Sequence, residues 1–263
     1  MQTKNVLITG ASSGIGEELA NVFAKAGYNL VLVARSTDKL KALAKTLTSE
    51  HEVKVWVSPA DLSLPDAAQK LAASMRRAKR PIDILVNNAG VLSHGAFIDM
   101  AFERHHAMIN LNITGLTTMV AHFAPDMIER GYGHILNVAS IAAFQPIPSL
   151  ATYAATKAYV LSLTESLSEE FKGSGVTITA LCPGVTETNM FAGAKQESSQ
   201  LEKLPKFLIG DVSAVAQEGF DACMRGDVIR VPGVVNQATI IAGRATPKWL
   251  LRKVSGAFVR GLK

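Results

Sequence analysis

Short apolar runs alternate along the chain with segments whose apolar residues recur at helical spacing. The apolar runs are Asn5–Thr9, Leu30–Ala34, Val53–Val57, Ile82–Asn87, His134–Ala139, Val176–Cys182 and Val228–Val231. The helix-periodic segments are Gly16–Ala26, Lys39–Ser49, Ala67–Lys79, Phe102–Arg130 and Tyr153–Lys172. Continuously apolar strands are typical of parallel sheets covered on both faces, and strand–helix alternation implies right-handed crossovers. The pattern therefore predicts an α/β fold, a doubly wound, mostly seven-stranded parallel sheet with helices on both faces.

The same pattern indicates one domain and one long insertion. No internal repeat, low-complexity tract or Pro-rich linker separates a second unit, so we expect residues 1–263 to form a single domain. The stretch Asn189–Gly210 mixes small, polar and charged residues and predicts a long mobile insertion. Doubly wound sheets bind their ligands at the carboxyl ends of the strands. The turns after the strands are therefore the first candidates for chemistry.

Composition excludes several classes of protein. The 27 basic and 22 acidic residues give a net charge of +5, which is too small and too dispersed to indicate nucleic-acid binding. The two cysteines, Cys182 and Cys223, cannot build a disulfide framework, and the chain has no C-x-x-C motif for zinc or redox chemistry. No apolar run approaches the ~18–20 residues of a membrane span, and the N-terminus carries no secretion signal. We expect a cytoplasmic protein.

The turn after the first strand is rich in glycine. It reads Thr9-Gly10-Ala11-Ser12-Ser13-Gly14-Ile15-Gly16 and runs straight into a helix. Glycine lets the backbone turn sharply and approach a diphosphate, and a helix N-terminus offers amide hydrogens to the anion. The alternative is a merely flexible strand-to-helix turn. Its position after the first strand of an alternating chain favours dinucleotide binding.

Three further motifs follow later strands: Asp61-Leu62, Asn87-Asn88-Ala89-Gly90, and Pro183-Gly184-Val185-Thr186-Glu187-Thr188. Together with the glycine spacing T-G-x-x-x-G-x-G, this order resembles the short-chain dehydrogenase/reductase family, in its short single-domain subtype. The similarity runs from about Lys4 to Gly233, nearly the whole chain. The resemblance implies a Rossmann-like fold and a nicotinamide cofactor.

The resemblance also assigns cofactor contacts. It implies that Asp61 hydrogen-bonds the adenine ring and that the segment from Asn88 through Ala89 to Gly90 lines the cofactor site. It implies that the Val185 backbone and the Thr188 side chain meet the nicotinamide carboxamide and the phosphates. The cofactor-binding residues expected are Gly10, Ser12, Ser13, Gly14, Ile15, Gly16, Arg35, Ser36, Asp61, Leu62, Asn88, Ala89, Gly90, Tyr153, Lys157, Pro183, Gly184, Val185 and Thr188.

The end of the second strand indicates which nicotinamide cofactor is preferred. An NAD site usually has a carboxylate here that accepts from the ribose 2′-hydroxyl, whereas this strand ends in Ala34 followed by Arg35 and Ser36. An arginine can pair with a 2′-phosphate and a serine can donate to it, so we expect NADP(H) to be preferred over NAD(H). The alternative is a solvated surface arginine. NADP-preferring relatives often carry a basic residue where this chain has Ser13, so the preference is expected to be modest.

Tyr153 and Lys157 lie four residues apart and therefore share a helix face. A lysine cation beside a phenol favours the phenolate and lowers a pKa that starts near ~10. The tyrosine could then exchange a proton with an alcohol or carbonyl. In isolation, such a pair is more often structural.

Two further residues complete a tetrad that the resemblance implies: Asn112, Ser140, Tyr153 and Lys157. Ser140 precedes Tyr153 by thirteen residues, as in the family, and would hold the substrate oxygen. Asn112 matches the family's helix asparagine, which supports a water relay to the lysine; Asn110 would point elsewhere on a helix. The implied reaction passes hydride from NADPH to a carbonyl carbon while Tyr153 protonates the oxygen, without a metal.

Substrate choice is expected to lie in two loops. In the family these are the loop after the fifth strand, here Ile141–Ala151, and the insertion after the sixth, here Asn189–Gly210. Both carry apolar residues and neither carries an arginine that would clamp a carboxylate. We therefore expect a small-molecule carbonyl or alcohol substrate of apolar character. His94 follows N-N-A-G and is interpreted as a loop histidine, and Cys182 as a buried strand residue.

The C-terminal tail, at about residues 234–263, is basic and amphipathic. No acidic residue occurs from Val228 onward, and Thr246 with Pro247 could begin a helix. One face of this helix would be apolar and the other basic: Leu250, Leu251, Val254, Phe258 and Leu262 against Lys248, Arg252, Lys253 and Arg260. Packing on the protein body or a neighbouring subunit is one interpretation, and peripheral membrane contact is the other.

Two other functions compete with the oxidoreductase. A nucleotide-sensing or scaffold protein could keep the fold without turnover, but it would be expected to have lost Tyr153 or Lys157. A sugar-nucleotide epimerase or dehydratase would normally need a longer substrate domain. Relatives commonly form dimers or tetramers through the long helices, so a homo-oligomer is expected.

Overall fold

The computed structural model describes residues 4–188, 209–247, 249–250, 252–253 and 256. Its centre is a seven-stranded sheet, parallel throughout, in the strand order β3-β2-β1-β4-β5-β6-β7. The strands are β1 Asn5–Thr9, β2 Asn29–Val33, β3 Val55–Val57, β4 Ile84–Asn87, β5 Gly133–Val138, β6 Val176–Leu181 and β7 Ile229–Arg230. The predicted doubly wound, Rossmann-like sheet is confirmed.

Helices connect the strands and cover both faces of the sheet. They are α1 Gly14–Lys25, α2 Thr37–His51, α3 Ala67–Arg77, α4 Phe102–Ile109, α5 Leu116–Glu129, α6 Ala151–Glu170, α7 Val212–Arg225 and α8 Val234–Ala245. The single helix predicted over Phe102–Arg130 is interrupted by a π-helical turn at Asn110–Gly115. The segments that form α7 and α8 are not among the helices that the sequence pattern predicts.

The core consists of two apolar layers, one on each face of the sheet. Along β1, Val6 and Ile8 pack into one layer and Leu7 into the other, because successive side chains of a strand point to opposite faces. This arrangement explains why the strands are apolar without alternation. The covered sheet leaves the carboxyl ends of its strands as the edge on which a site can form.

The tail is only partly described. The hydroxyl of Thr246 donates to the Ala242 carbonyl oxygen at 2.9 Å, at the end of α8; its expected role as the cap of a following helix stays a prediction, because Lys248 lies outside the described residues. Trp249 and Leu250 are partly exposed, and the Lys253 ammonium lies 5.4 Å from the Trp249 ring centroid. The apolar residues Leu251, Val254, Phe258 and Leu262 lie outside the described residues, as do positions 189–208 of the predicted insertion. In the described part, no helix is long and apolar enough to cross a membrane.

Candidate active site

The predicted site residues converge on one cavity at the carboxyl ends of the strands. Its volume is about 400 Å³, and it is lined by Ser140, Tyr153 and Lys157 together with the glycine turn. The other expected cofactor residues that line it are Arg35, Ser36, Asp61, Leu62, Asn88, Ala89, Gly90, Pro183, Gly184, Val185 and Thr188. Segments that are far apart in the sequence therefore share one wall. Two predicted residues, Gly16 and Asn112, lie behind this wall.

The glycine turn has a backbone that only glycine adopts readily. Gly10 and Gly14 have φ angles of +66° and +60°, in the left-handed region. The turn leads into α1, whose N-cap residue Ser13 makes no side-chain capping hydrogen bond. Gly14 and Ile15, the first residues of α1, line the cavity, and the Ser13 side chain does not cap their amide groups, an arrangement that suits a bound phosphate.

The Asn88-Ala89-Gly90 segment holds the glycine turn in place. The Asn88 amide group donates to the carbonyl oxygens of Thr9 and Gly10 at 3.0 and 3.2 Å. In return, the Thr9 hydroxyl accepts from the backbone amides of Asn88 and Ala89 at 2.9 and 3.0 Å. These bonds cross-link the ends of β1 and β4, so the segment supports the cavity wall as well as lining it.

Gly16 is a packing residue of this turn rather than part of the cavity lining. A Cβ at Gly16 would collide with the side-chain nitrogen of Asn88 and the carbonyl oxygen of Gly10. The third glycine therefore allows α1 to approach the turn closely, and the expected contact of Gly16 with the cofactor stays a prediction.

Gly16→Ala is expected to lower the free energy of unfolding by about 1–3 kcal/mol, because the added methyl group must displace backbone. Gly243→Ala is the matched control: Gly243 lies in α8, and no atom of the described residues lies within 4 Å of the point that a Cβ would occupy. The control should be neutral or stabilise by up to about 1 kcal/mol. Chemical denaturation of both variants measures the difference, and equal stabilities would contradict the packing role.

A positively charged side chain follows β2, where a contact with a 2′-phosphate is expected. Arg35 is exposed and lines the cavity with Ser36. Across from it, the pKa of Asp61 is lowered, chiefly by the Ser63 hydroxyl that donates to its Oδ1 at 2.6 Å, and in smaller part by the positive charge of Arg35. Asp61 is thus held as a carboxylate within electrostatic reach of Arg35. Sequence reasoning did not identify Ser63.

Tyr153 lies in the first turn of α6, with 9 % of its surface exposed. Burial raises its pKa to about 12, and a hydrogen bond with Ser140 opposes this shift. The Ser140 oxygen also accepts from the backbone amide of Ala142 at 3.1 Å, which fixes the serine at the end of β5. The two hydroxyl groups therefore meet at one point of the cavity wall.

Lys157 does not lower the pKa of Tyr153 in the way the sequence predicts. Its ammonium donates to the Val138 carbonyl oxygen at 2.8 Å and lies 5.8 Å from the Tyr153 ring centroid. Burial lowers the pKa of Lys157 itself to about 8. The pKa of Tyr153 is therefore determined mainly by burial of the phenol. The expectation that this pKa is lowered is wrong.

Asn112 is fully buried in the π-helical turn behind the cavity. Its side chain donates to the Val91 carbonyl oxygen at 2.9 Å and to the Thr156 hydroxyl at 3.1 Å, and it accepts from the Val91 amide at 2.9 Å. A Cβ at Gly90 would lie 3.2 Å from the Asn112 oxygen and 3.6 Å from the Lys157 nitrogen, so both groups flank that glycine. Asn112 and Lys157 thus share one region of the site.

Several residues around the site are not predicted by the sequence. Thr156 accepts from Asn112 and donates to the Tyr153 carbonyl oxygen at 2.8 Å, so it joins two members of the tetrad. His105 bonds Thr152, the residue before Tyr153. The bonds from Asn112 to Thr156 and from His105 to Thr152 join residues 44 and 47 positions apart, and periodicity carries no signal for such pairs. Within the described part of the chain, no group of three or more His, Cys, Asp or Glu side chains could hold a metal ion.

Comparison with known proteins identifies the family. Residues 4–199 match the sequence model of the short chain dehydrogenase family. The oxidoreductase UcpA of Salmonella typhimurium is 37 % identical over 197 residues, which are 74 % of each chain.

Solved structures of the same kind superpose on the whole fold. One is a short-chain dehydrogenase from Sphingobium yanoikuyae in complex with NADPH, with a TM-score of 0.82 and 34 % identity. The superposition covers 92 % of this chain and 93 % of that chain. The bulky-bulky ketone specific alcohol dehydrogenase from Comamonas testosteroni superposes with a TM-score of 0.79 at 30 % identity, covering 93 % of both chains.

The chain belongs to the short-chain dehydrogenase/reductase family. It is an NAD(P)-dependent oxidoreductase of this family, built on one Rossmann-like sheet.

Proposed function

We propose that the protein is an NADP(H)-dependent oxidoreductase that transfers hydride between the nicotinamide and a carbonyl or secondary alcohol, with Tyr153 as general acid and base. The observation that carries this proposal is the convergence of Ser140, Tyr153 and Lys157 on the cavity that also contains the glycine turn. Left-handed glycines and uncapped amides of α1 fit a dinucleotide diphosphate at the other end of that cavity.

The bound cofactor would supply the hydride that a carbonyl carbon accepts. The Ser140 hydroxyl would hold the carbonyl oxygen, and Tyr153 would donate its phenolic proton to that oxygen. Because the pKa of Tyr153 is raised to about 12, the phenol carries its proton at neutral pH, which suits the reducing direction. The Lys157 ammonium, 5.8 Å from the ring centroid, would counter the charge of the phenolate that remains, although in the resting site the effect of burial on the Tyr153 pKa is the larger one. Asn112 would support the lysine from behind the wall.

The cavity supports an apolar substrate. Beside Tyr153 it is lined by Ile141, Ala142, Ile147 and Leu150 of the predicted substrate loop. The structurally similar alcohol dehydrogenase from Comamonas testosteroni is named for bulky-bulky ketones. We propose that this chain accepts carbonyl compounds with apolar substituents on both sides.

A panel of carbonyl compounds tests the function. We expect NADPH absorbance to decrease with aryl-alkyl and bulky dialkyl ketones and to stay constant with keto acids of similar size, because no arginine of the loop Ile141–Ala151 offers a carboxylate clamp. Absence of turnover with every carbonyl, at saturating NADPH, would contradict the proposed reaction.

Arg35 is proposed to select NADP(H) by pairing with the 2′-phosphate. Arg35→Asp is expected to weaken NADPH binding by about 10- to 100-fold relative to NADH, because a charge-assisted hydrogen bond contributes roughly 1.5–3 kcal/mol. Lys41→Asp, on the exposed face of α2 outside the cavity lining, makes the same charge change and controls for long-range electrostatics. Equilibrium titration with both cofactors measures the ratio. If the ratio of the Kd values for NADPH and NADH were the same in Arg35→Asp as in wild type, the proposed role of Arg35 in selecting NADP(H) would be refuted.

We further propose a cytoplasmic homo-oligomer. Large apolar side chains are exposed on α4, α5 and α6: Phe102, Ile109, Ile128 and Tyr159. These helices correspond to the segments through which relatives commonly assemble. Light scattering coupled to size exclusion is expected to give a dimer or tetramer, and a monomer at micromolar concentration would contradict it.

A further inference from the structure

A buried histidine lies between three segments next to the candidate active site. His105, on α4, is 9 % exposed. Its Nδ1 lies 2.7 Å from the hydroxyl of Thr152 on α6, and its Nε2 lies 3.3 Å from the carbonyl oxygen of Phe97. The ring also packs against the Phe97 ring, with 4.5 Å between centroids. One side chain thus joins α4, α6 and the short 3₁₀ turn Phe97–Asp99.

The hydrogen-bond roles follow from the partners. A carbonyl oxygen can only accept, so Nε2 must carry a proton that it donates to Phe97. In the neutral ring, Nδ1 is then an acceptor, and the Thr152 hydroxyl donates to it. Both bonds of the histidine are satisfied inside the protein, which is what a buried polar side chain requires.

The segment that His105 contacts is the one that presents the proposed proton donor. Thr152 directly precedes Tyr153 in the first turn of α6. This turn follows Ser149, whose φ of +66° is a left-handed conformation that costs a non-glycine residue roughly 1–2 kcal/mol. The N-cap residue, Leu150, has no side chain that could cap the helix. Local interactions therefore define the start of α6 only weakly, and a contact from a neighbouring helix has more influence there.

A second contact, between Asn112 and Thr156, holds α6 one turn further along the helix. Asn112 donates to Thr156 at 3.1 Å, and Thr156 lies four residues after Thr152 on the same face of α6. The bonds at Thr152 and Thr156 flank Tyr153 along the helix. Of the two, only the one at Thr156 involves a residue of the predicted tetrad.

We propose that His105 is a positioning residue for the reaction, acting through Thr152 to hold the first turn of α6 so that Tyr153 meets Ser140. The role rests on the proposed function. Because displacement of a reacting group by about 1 Å can cost on the order of 100-fold in rate, loss of the contact should act on turnover. Cofactor binding, which depends on the glycine turn at the other end of the cavity, should change little.

Paired substitutions test the contact. Thr152→Val keeps the shape and removes the hydroxyl, whereas Thr152→Ser keeps the hydroxyl. We expect kcat for carbonyl reduction to fall about 10- to 100-fold in Thr152→Val, with the Kd for NADPH within about twofold of wild type, and to be largely retained in Thr152→Ser. His105→Phe keeps a ring against Phe97 and should match Thr152→Val. The double variant should be no slower than His105→Phe, because both changes remove one interaction.

Backbone hydrogen exchange provides a readout that does not depend on turnover. Peptides covering residues 150–157 should exchange faster in Thr152→Val and His105→Phe than in wild type or Thr152→Ser. Wild-type kcat in Thr152→Val, or losses that multiply in the double variant, would overturn the positioning role. If wild type reduced no carbonyl, the proposed function would fail, while the exchange comparison would still decide whether the contact holds α6.

Discussion

Tyr153→Phe is expected to reduce carbonyl reduction by about 100- to 10,000-fold, the range attributed to a general acid. The variant removes only the phenolic oxygen of a buried side chain that bonds Ser140. Net loss of one such hydrogen bond costs about 1 kcal/mol, so the fold should persist. NADPH absorbance measures turnover, and titration of NADPH measures cofactor affinity, so that any loss of the expected contact between Tyr153 and the cofactor is separated from loss of proton donation.

Tyr159→Phe is the matched control for this variant. Tyr159 lies on the same helix, is partly exposed, and has its oxygen 3.0 Å from the Thr117 hydroxyl outside the cavity lining. It should retain wild-type turnover. Activity that survives in Tyr153→Phe at the level of Tyr159→Phe would show that another group supplies the proton.

Lys157→Met is expected to abolish activity and, at the same time, to stabilise the protein at neutral pH. Burial lowers the pKa of Lys157 from 10.5 to about 8, so at pH 7 the folded protein carries a desolvated cation. The shift corresponds to roughly 3 kcal/mol of destabilisation. Loss of the hydrogen bond leaves the buried Val138 carbonyl oxygen without this donor and offsets about 1–3 kcal/mol of the gain. We therefore expect a net gain of up to about 2 kcal/mol, so that the lysine favours function at the expense of stability.

The difference in stability between Lys157→Met and wild type is expected to depend on pH. Below about pH 8 both the folded and the unfolded chain protonate Lys157, and the full penalty is present. Between about 8 and 10.5 the unfolded chain binds more protons at this lysine, so stability rises with pH as the penalty is relieved. The advantage of Lys157→Met over wild type should accordingly shrink across that interval. Lys172→Met, at an exposed lysine, should show neither effect. A variant less stable than wild type at pH 7 would contradict the account.

The sequence predicts the parts of the site that depend on strand order. Apolar runs such as Leu30–Val33 indicate buried parallel strands, and the carboxyl ends of such strands meet at one edge by geometry. The turns at Gly10, Asn88 and Pro183 can therefore be assigned to one cavity from the order of the strands alone.

The remaining features depend on tertiary packing. Helix α7 buries small residues, and Gly219 packs so closely on Leu181 that a Cβ would lie 2.7 Å from a methyl carbon. This close contact, unlike the amphipathic pattern of the helix, carries no signal in the sequence. The π-helical turn places Gly115 against the Leu62 carbonyl oxygen, a contact between residues 53 positions apart. The raised pKa of Tyr153 likewise follows from burial, which the spacing to Lys157 does not reveal.

The central claim is hydride transfer between NADPH and a carbonyl carbon with proton donation by Tyr153. Cofactor carrying deuterium at nicotinamide C4, prepared in both stereochemical forms, tests it directly with a ketone that the panel identifies. The account predicts one deuterium on the carbinol carbon of the product alcohol from one of the two forms, and little product from Tyr153→Phe. Consumption of NADPH without deuterium in the alcohol would contradict it.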